Sequence, residues 1–405
     1  MEHPVINAGR RKWLYPASLI LFALGLLTGF LLPGLFPPIS FIGDIYVNLL
    51  KMIVAPLLMT QVTVGVYGAR RAFAGRLIKT VLLFIAMFVV SFCITAALTG
   101  LLSPGKGVSL FGGEWEGELA AATLPGFFKS VVPGNIFAAM SAGSILPCIL
   151  FAFTMGIAAS ATGAERAMAV FSDLNGIFLK ILDYIMVLTP LGVFVLIGGA
   201  AAQYGPALLG VCAAYILLAW LLCGLITVLV MILPVWIYAR ISPAAYVKRV
   251  SKLWLITLST CSSAATLPST IRVCNEEFQV PKEITDIVVP LGCTIHMCGG
   301  AVSFCLLGMF TLQMAGIPLT VGLFLYMLLI ATLMNMAAPG IPGGGIVLGA
   351  TYLTILGAPT GFIGLYSGVY RLLDMAYTTV NVTGDVTANI LLYASEKRRD
   401  KPGSL

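Results

Sequence analysis

Apolar runs long enough to cross a membrane recur along nearly the whole of this chain. The first of them lie near residues 13–35, 40–68, 78–102, 136–163, 174–200 and 205–239. They are much longer than the roughly ten-residue alternating segments of an outer-membrane barrel, so the pattern predicts helices. Only 10% of the residues are charged and 59% are hydrophobic, whereas about a quarter of the residues are charged in a soluble domain. We therefore expect an all-α polytopic membrane protein.

Basic residues cluster in separate loops and in the C-terminal tail. They are Arg70, Arg71, Arg76, Lys79, Arg240, Lys248, Arg249, Lys252, Lys397, Arg398 and Arg399. The intervening loops at 203–207 and 315–318 carry no Lys or Arg. The positive-inside rule then places the basic segments and both termini on the cytoplasmic side of the inner membrane. These loops account for the net charge of +7 without a nucleic-acid partner.

Two apolar segments of the second half are interrupted by short tips rich in small, polar or glycine residues. The tips are STCSSAATLP at 259–268 and APGIPGGG at 338–345. Irregular backbone at membrane depth is tolerated only where it lines a cavity or packs on protein, so neither tip predicts a straight lipid-facing helix. Each is followed by a predicted helix, at 283–313 and 360–395. One such tip alone is typical of a helix kink, but a pair in corresponding positions indicates the binding site of a transporter.

The last predicted helix carries two carboxylates inside an apolar stretch. At about 100° per residue, one narrow face presents Arg371, Asp374, Thr378, Asn381 and Asp385. A charged side chain at the centre of a bilayer costs about 3 kcal/mol or more unless it faces a cavity, an ion or a partner charge. The stripe predicts a functional site, with a structural polar network between helices as the alternative.

Four motifs follow one another along the second half of the chain. They are Ser262-Ser263 with Thr266-Leu267-Pro268, then Pro290-Leu291-Gly292-Cys293-Thr294-Ile295-His296-Met297, then Gly340-Ile341-Pro342-Gly343-Gly344-Gly345, and finally Asp374-Met375, Thr378 and Val380-Asn381-Val382-Thr383-Gly384-Asp385. In this order they resemble the dicarboxylate/amino acid:cation symporter family, which includes the glutamate transporters and the neutral amino acid exchangers.

The resemblance implies eight transmembrane helices plus two re-entrant helical hairpins, arranged as inverted repeats in a homotrimer. Residues 1–240 would form mainly the scaffold and trimerisation helices, with parts of the third and sixth helices packing on the transport domain. Residues 243–395 would form the core of an elevator-type transport domain, and residues 396–405 a cytoplasmic tail.

The resemblance also implies a substrate site. Asp374 would hold the substrate ammonium with help from Thr378, and Asn381 would hold the α-carboxylate together with backbone amides of the first tip. A zwitterion that leaves water needs both charges met, which agrees with these groups. The full substrate-binding set is Ser262, Ser263, Gly300, Ile341, Pro342, Gly343, Gly345, Asp374, Tyr377, Thr378 and Asn381.

Two positions depart from the members of the family that carry acidic substrates. Tyr377 stands where those members have an arginine, and Gly300 stands where they have a threonine. A second substrate carboxylate without a cation would be costly to bury, so we expect a small neutral amino acid, with the space beside Gly300 left for its side chain. The alternative is an acidic amino acid or a dicarboxylate bound by Arg371, which otherwise forms a structural ion pair with Asp374.

The coupling cation is a further departure. The family's Asn-Met-Asp reads His296-Met297-Cys298, and the hydroxyls of one sodium site align with apolar residues near Phe84, Met87 and Phe88, so that site is expected to be absent. The remaining sodium ligands would be Gly292, Thr294, His296, Asn381 and Asp385. Coupling by a proton carried on His296 is the alternative, and no organic cofactor is expected.

The sequence also bears on two other function classes. An anion channel on the same fold is the alternative of a different class, but an intact substrate stripe argues against it as the main role. Asp374 and Asp385 lie roughly 16 Å apart along a helix, too far to act on one bond as an acid/base pair. An enzyme is therefore not expected.

Overall fold

The computed structural model describes residues 14–70, 74–108, 132–142, 145–205, 207–336 and 343–399, and their regular secondary structure is helical. In chain order the first helices are α1 (Leu14–Leu31), α2 (Ser40–Arg70), α3 (Ala74–Leu102), α4 (Ile136–Ser141), α5 (Ile145–Thr162), α6 (Glu165–Val187), α7 (Thr189–Tyr204) and α8 (Ala207–Ile226). The others are α9 (Pro243–Thr260), α10 (Ser263–Arg272), α11 (Lys282–Ile295), α12 (Cys298–Met314), α13 (Val321–Asn335), α14 (Gly344–Leu356) and α15 (Phe362–Arg399).

Helix length and composition identify fewer membrane spans than the apolar runs predict. Among the described residues, three helices are long and apolar enough to cross a membrane: Ile78–Leu102, Gly210–Ala239 and Lys282–Met314. A fourth candidate is Ile20–Leu31 with Pro33–Tyr46, which are bent by 111° to each other. The apolar helices indicate a multi-pass membrane protein, whereas the count of eight spans stays a prediction.

Two predicted helices are broken in the structure. The run at 174–200 divides between α6 and α7, and Pro190 lies in the first turn of α7, where proline is tolerated. The helix expected at 283–313 divides between α11 and α12, where His296 and Met297 have extended backbone. By contrast, the helix expected at 360–395 is continuous as α15.

The first half packs around close contacts between α1 and α7 and between α2 and the pair α5 and α6. A Cβ at Gly29 would lie only 2.4 Å from the backbone oxygen of Gly198, so α1 and α7 approach to backbone distance. Without a hydrophobic driving force in lipid, such close backbone packing is a main source of helix association.

Helix α15 is the centre of the second half. It packs against α7, α8, α9, α11 and α12, and most of its side chains between 373 and 390 are buried. The continuation of α8 is wound as π-helix over Thr227–Ile232 and Val235–Ala239, and both segments contact α15. The polar stripe therefore lies inside protein rather than against lipid.

The two interrupted segments form helical pairs on either side of α15. In the first pair, α9 ends at Thr260, Cys261 has a left-handed backbone with φ of 48°, and Ser262 is the N-cap of α10. The Ser262 hydroxyl accepts a hydrogen bond from the Ala265 amide at 3.1 Å, which is an N-cap. The second pair is α13 and α14; its connecting residues 337–342 lie outside the described part of the chain.

Candidate functional site

A small cavity of about 50 Å³ lies between the hairpins and helices α12 and α15. Seven residues of the predicted substrate set line it: Ser263, Gly300, Gly345, Asp374, Tyr377, Thr378 and Asn381. Its other lining residues are Cys261, Met297, Gly299, Ser303, Phe304, Asn335, Leu348 and Tyr370. The predicted residues Ile341 and Pro342 lie outside the described residues. Residues far apart in the chain thus meet at one small polar space inside the protein.

Asp374 is the charged side chain of this lining and is only 7% exposed. Its carboxylate accepts hydrogen bonds from the amide of Gly343 at 3.0 Å, the hydroxyl of Thr378 at 3.3 Å and the hydroxyl of Tyr370 at 3.4 Å. A carboxylate offers about four lone-pair sites, so acceptor capacity remains for one further donor. The bond to Gly343 also ties Asp374 to the start of α14 in the second hairpin.

Asn381 connects α15 to the start of α12. Its side-chain oxygen accepts a hydrogen bond from the Gly299 amide at 2.7 Å, in the first turn of α12. Such amides have no partner within their own helix, so Asn381 stabilises the helix that follows the break at His296. The remaining polar group of the side chain is its –NH₂, a donor suited to a carboxylate.

The tip of the first hairpin uses Ser262 internally. Besides capping α10, Ser262 accepts a hydrogen bond on its carbonyl oxygen from the Thr266 hydroxyl at 2.8 Å, and its amide faces the Thr260 hydroxyl at 3.3 Å. Ser263, rather than Ser262, lines the cavity. Ser262 thus shapes the turn, whereas Ser263 faces the site.

The space expected beside Gly300 is filled by Asn335, a residue that the sequence analysis missed. A Cβ at Gly300 would lie 2.2 Å from the side-chain amide of Asn335. The side-chain amide of Asn335 is oriented to bond both backbone groups of Met297. Its –NH₂ donates to the Met297 carbonyl at 3.0 Å, and its oxygen accepts from the Met297 amide at 3.3 Å. The signal that could have found it is a lone Asn at the end of the otherwise apolar α13.

Arg371 lies outside the cavity lining but near it. One guanidinium nitrogen, Nη2, donates to the backbone carbonyl of Ser259 in the last turn of α9 at 2.7 Å. The charge also interacts with Asp374 and with the thiol of Cys261. A cation is favourable at a helix C-terminus, so Arg371 joins α15 to the first hairpin directly beside its tip.

Tyr377 contributes a buried hydroxyl at the position expected to decide substrate charge. Its side chain is 3% exposed and lies beside Tyr215 of α8. The two hydroxyls interact with each other, and among the described residues neither has a further hydrogen-bond partner. A hydroxyl has one donor and two acceptor sites, so Tyr377 retains capacity for a polar group in the cavity.

Three of the residues predicted to bind sodium, Gly292, His296 and Asp385, lie together in a second buried cluster, whereas Asn381 lines the first cavity and Thr294 is not shown in contact with them. The imidazole Nδ1 is 2.9 Å from Oδ1 of Asp385, and Nε2 is 3.1 Å from Sγ of Cys298. Phe84 stacks on the ring with 4.4 Å between centroids. Thr294 bonds through its hydroxyl to the Leu291 carbonyl at 2.8 Å. The structure thus brings His296 and Asp385 into direct contact.

Gly299 is required by the close approach of α12 and α15. A Cβ there would lie 2.2 Å from the backbone oxygen of Tyr377 and 2.6 Å from its Cα, neither of which can move as a side chain can. We expect Gly299→Ala to lower the free energy of unfolding by about 3 kcal/mol, the upper end of overpacking effects. The measurement is the thermal unfolding midpoint of the purified protein in detergent.

The matched control for that variant is Gly224→Ala in α8. A Cβ at Gly224 meets no atom within 4 Å, and Ala is the better helix former, so its unfolding midpoint should be unchanged or raised. Equal unfolding midpoints for Gly299→Ala and the wild type would show that α12 and α15 are not packed this closely.

Comparison with known proteins matches the chain to one family over most of its length. The profile of the sodium:dicarboxylate symporter family matches residues 14–395. The proton/glutamate-aspartate symporter of Escherichia coli (strain K12) is 29% identical over 387 residues, covering 90% of this chain and 86% of that protein. The Bacillus subtilis (strain 168) protein of the same name is 27% identical over 391 residues, covering 94% of each. The C4-dicarboxylate transport protein of Azorhizobium caulinodans is 27% identical over 403 residues, covering 96% and 90%.

Proposed function

Because the chain belongs to the sodium:dicarboxylate symporter family, whose members are cation-coupled transporters and not enzymes, we propose that it carries a small amino acid or related acid through the cavity at Asp374. The observation that carries this proposal is Asp374 itself, a buried carboxylate with spare acceptor capacity between two helical hairpins. A carboxylate in such surroundings needs a positive partner, and a substrate ammonium supplies it.

The substrate carboxylate would be bound from the opposite side of the cavity. The amides of Ala265 and Thr266 are already bonded to Ser262, so those of Ser263 and Ala264 are the donors of the first turn of α10 that remain for a ligand. Together with the –NH₂ of Asn381 they would form an anion site at a helix N-terminus. Both charges of a zwitterion are then met by groups of opposite sign.

An acidic side chain on the substrate is the first candidate, and the relatives support it. Their names state glutamate, aspartate and C4-dicarboxylates as substrates, which favours the acidic alternative over the neutral amino acid expected from Tyr377. In this chain Arg371 would supply the positive charge, because its guanidinium lies beside the first tip and interacts with Asp374 and Cys261.

A neutral side chain is the second candidate, and it is supported by the lining of the cavity. No Lys or Arg is among the described lining residues. Tyr377 and Asn335 would instead present a hydroxyl and an amide to an uncharged polar group. A hydrogen-bonding site of this kind discriminates strongly against substrates that lack the matching group.

Movement of the second hairpin would open and close the site. Gly343 has φ of +80°, a conformation that favours glycine, and its amide is bonded to Asp374. A substrate ammonium that binds Asp374 would compete with this bond or share the carboxylate with it. Substrate binding and the position of the hairpin would thus be coupled at one carboxylate.

The large-scale mechanism is proposed from the family resemblance. Residues 243–395 would move as the transport domain against a scaffold formed mainly by residues 1–240, in a homotrimer of the inner membrane with both termini in the cytoplasm. The coupling cation is sodium or a proton. The concentration of buried polar groups in the second half supports this division.

The experiment is counterflow with the full chain in proteoliposomes. Vesicles loaded with one unlabelled solute are diluted into the same labelled solute, using in turn L-aspartate, L-glutamate, succinate, L-serine and L-glutamine. Accumulation of labelled aspartate or glutamate supports the first candidate, and accumulation of serine or glutamine alone supports the second. Absence of exchange for all five, with protein shown to be folded and inserted, would overturn the proposal.

A further inference from the structure

The imidazole of His296 contacts the carboxylate of Asp385, which the sequence analysis expected to bind sodium. Both side chains are almost fully buried, at 1% exposed for His296 and 2% for Asp385, and Nδ1 and Oδ1 are in hydrogen-bond contact at 2.9 Å. The contact joins α15 to the break between α11 and α12. It therefore depends on that break, which points the His296 side chain across to α15.

The surroundings hold the ring in this position from several sides. Phe84 of α3 stacks on one face at an interplanar angle of 15°, and Cys298 contacts the second ring nitrogen. A Cβ at Gly384 would lie 2.6 Å from Cε1 of the ring, and one at Gly292 would lie 2.3 Å from Oδ1 of Asp385. The glycines are what allow the imidazole and the carboxylate to meet in so little space.

Three of the oxygen atoms expected to coordinate sodium already accept a hydrogen bond or contact the imidazole. Oδ1 of Asp385 contacts the imidazole, the oxygen of Asn381 accepts from the Gly299 amide, and the carbonyl of Gly292 accepts from the His296 amide at 2.9 Å. A hard cation needs several oxygens free to converge on it, and an imidazole nitrogen is a poor substitute for one of them.

We propose that the His296 side chain takes the place of a sodium ion at Asp385, so that this chain binds no sodium there. The sequence predicts a sodium site at Gly292, Thr294, His296, Asn381 and Asp385, and the geometry points instead to this different use of its only carboxylate. The importance of the inference for transport rests on the proposed function, because it decides which cation can be coupled. Its test does not require transport.

The experiment measures thermal unfolding of the purified full chain in NaCl, KCl and choline chloride at equal ionic strength. We expect the wild-type midpoint to be the same in all three salts. His296→Ala and His296→Asn remove the imidazole and leave the Asp385 carboxylate available, so sodium alone should raise their midpoints by about 3 °C or more when saturating. Adding Asp385→Asn to either variant should abolish the rise.

Cys298→Ala is the matched control. It removes the other hydrogen-bond partner of the ring, in the same buried cluster, but leaves the imidazole on Asp385, so its midpoint should not respond to sodium. A wild-type response to sodium that disappears in Asp385→Asn would overturn the proposal. It would equally be overturned if folded His296→Ala and His296→Asn both lacked any sodium response.

The two proposals fail in distinguishable ways. Loss of all counterflow would reject the transport function but would leave the sodium test of Asp385 unaffected, because that test measures unfolding and not transport. A sodium effect in the wild type that survives Asp385→Asn unchanged comes from another site, and it supports the absence of sodium at Asp385.

Discussion

Asp374→Asn is expected to reduce substrate counterflow by about 100-fold or more. Removing one partner of a buried, hydrogen-bonded charge pair costs about 2–5 kcal/mol, and about 2.7 kcal/mol is a hundredfold in affinity. The amide keeps the shape of the side chain and an oxygen that can accept from the Gly343 amide, which is 3.0 Å away in the wild type. The loss should therefore appear in substrate binding and counterflow, with the fold retained.

Asp286→Asn is the matched control, because Asp286 is an exposed aspartate on α11. It changes the net charge by the same amount and should leave counterflow at the wild-type rate. The measurement is the initial rate of labelled-solute exchange, normalised to inserted protein. An Asp374→Asn variant with unaltered exchange would show that the assigned ammonium site is wrong.

Arg371→Gln is expected to separate the two candidate substrates. If the substrate has an acidic side chain, aspartate exchange should fall by about tenfold or more, less than for a fully buried pair because Arg371 is partly exposed. If the substrate is neutral, the variant should change aspartate and serine exchange by the same factor, through the lost contacts of Arg371 with Ser259, Asp374 and Cys261. The measurement is the ratio of aspartate to serine exchange in the variant and in the wild type.

Arg272→Gln provides the control for removal of one positive charge. Arg272 is exposed at the end of α10, in the same hairpin, and its replacement should leave the ratio unchanged. A fall in both exchange rates by the same factor would indicate that Arg371 holds the first hairpin in position and does not contact the substrate. An unchanged ratio in a transporter of aspartate would mean that another group meets the side-chain carboxylate.

The local features of the site could be predicted because they depend on short-range periodicity. Asp374, Thr378 and Asn381 recur at helical spacing, so any sequence that forms α15 places them on one face. The tips were visible for a similar reason, since Pro, Gly and small polar residues interrupt an apolar run. Both kinds of signal are contained in fewer than about twenty consecutive residues.

The partners of these residues could not be predicted in the same way. Asn335 reaches Met297 from a different helix, and the Gly343 amide reaches Asp374 from the second hairpin. The prediction of space beside Gly300 rested on the absence of a side chain at that position. The prediction was wrong because Asn335 of the neighbouring helix α13 fills this space.

The sequence by itself determined that this chain forms membrane helices, that two of its apolar segments are interrupted, and that the carboxylates of the last helix share one inward face. It could do so because hydropathy and helical period depend only on residues that are neighbours in the chain. The tertiary structure decided that Asp374 meets Gly343 and that Asp385 meets His296 across 89 residues of chain. The physical reason is that a hydrogen bond exists only within about 3 Å and a narrow range of angles. Such distances are set by how helices break and pack, which the spacing of residues along a chain does not specify.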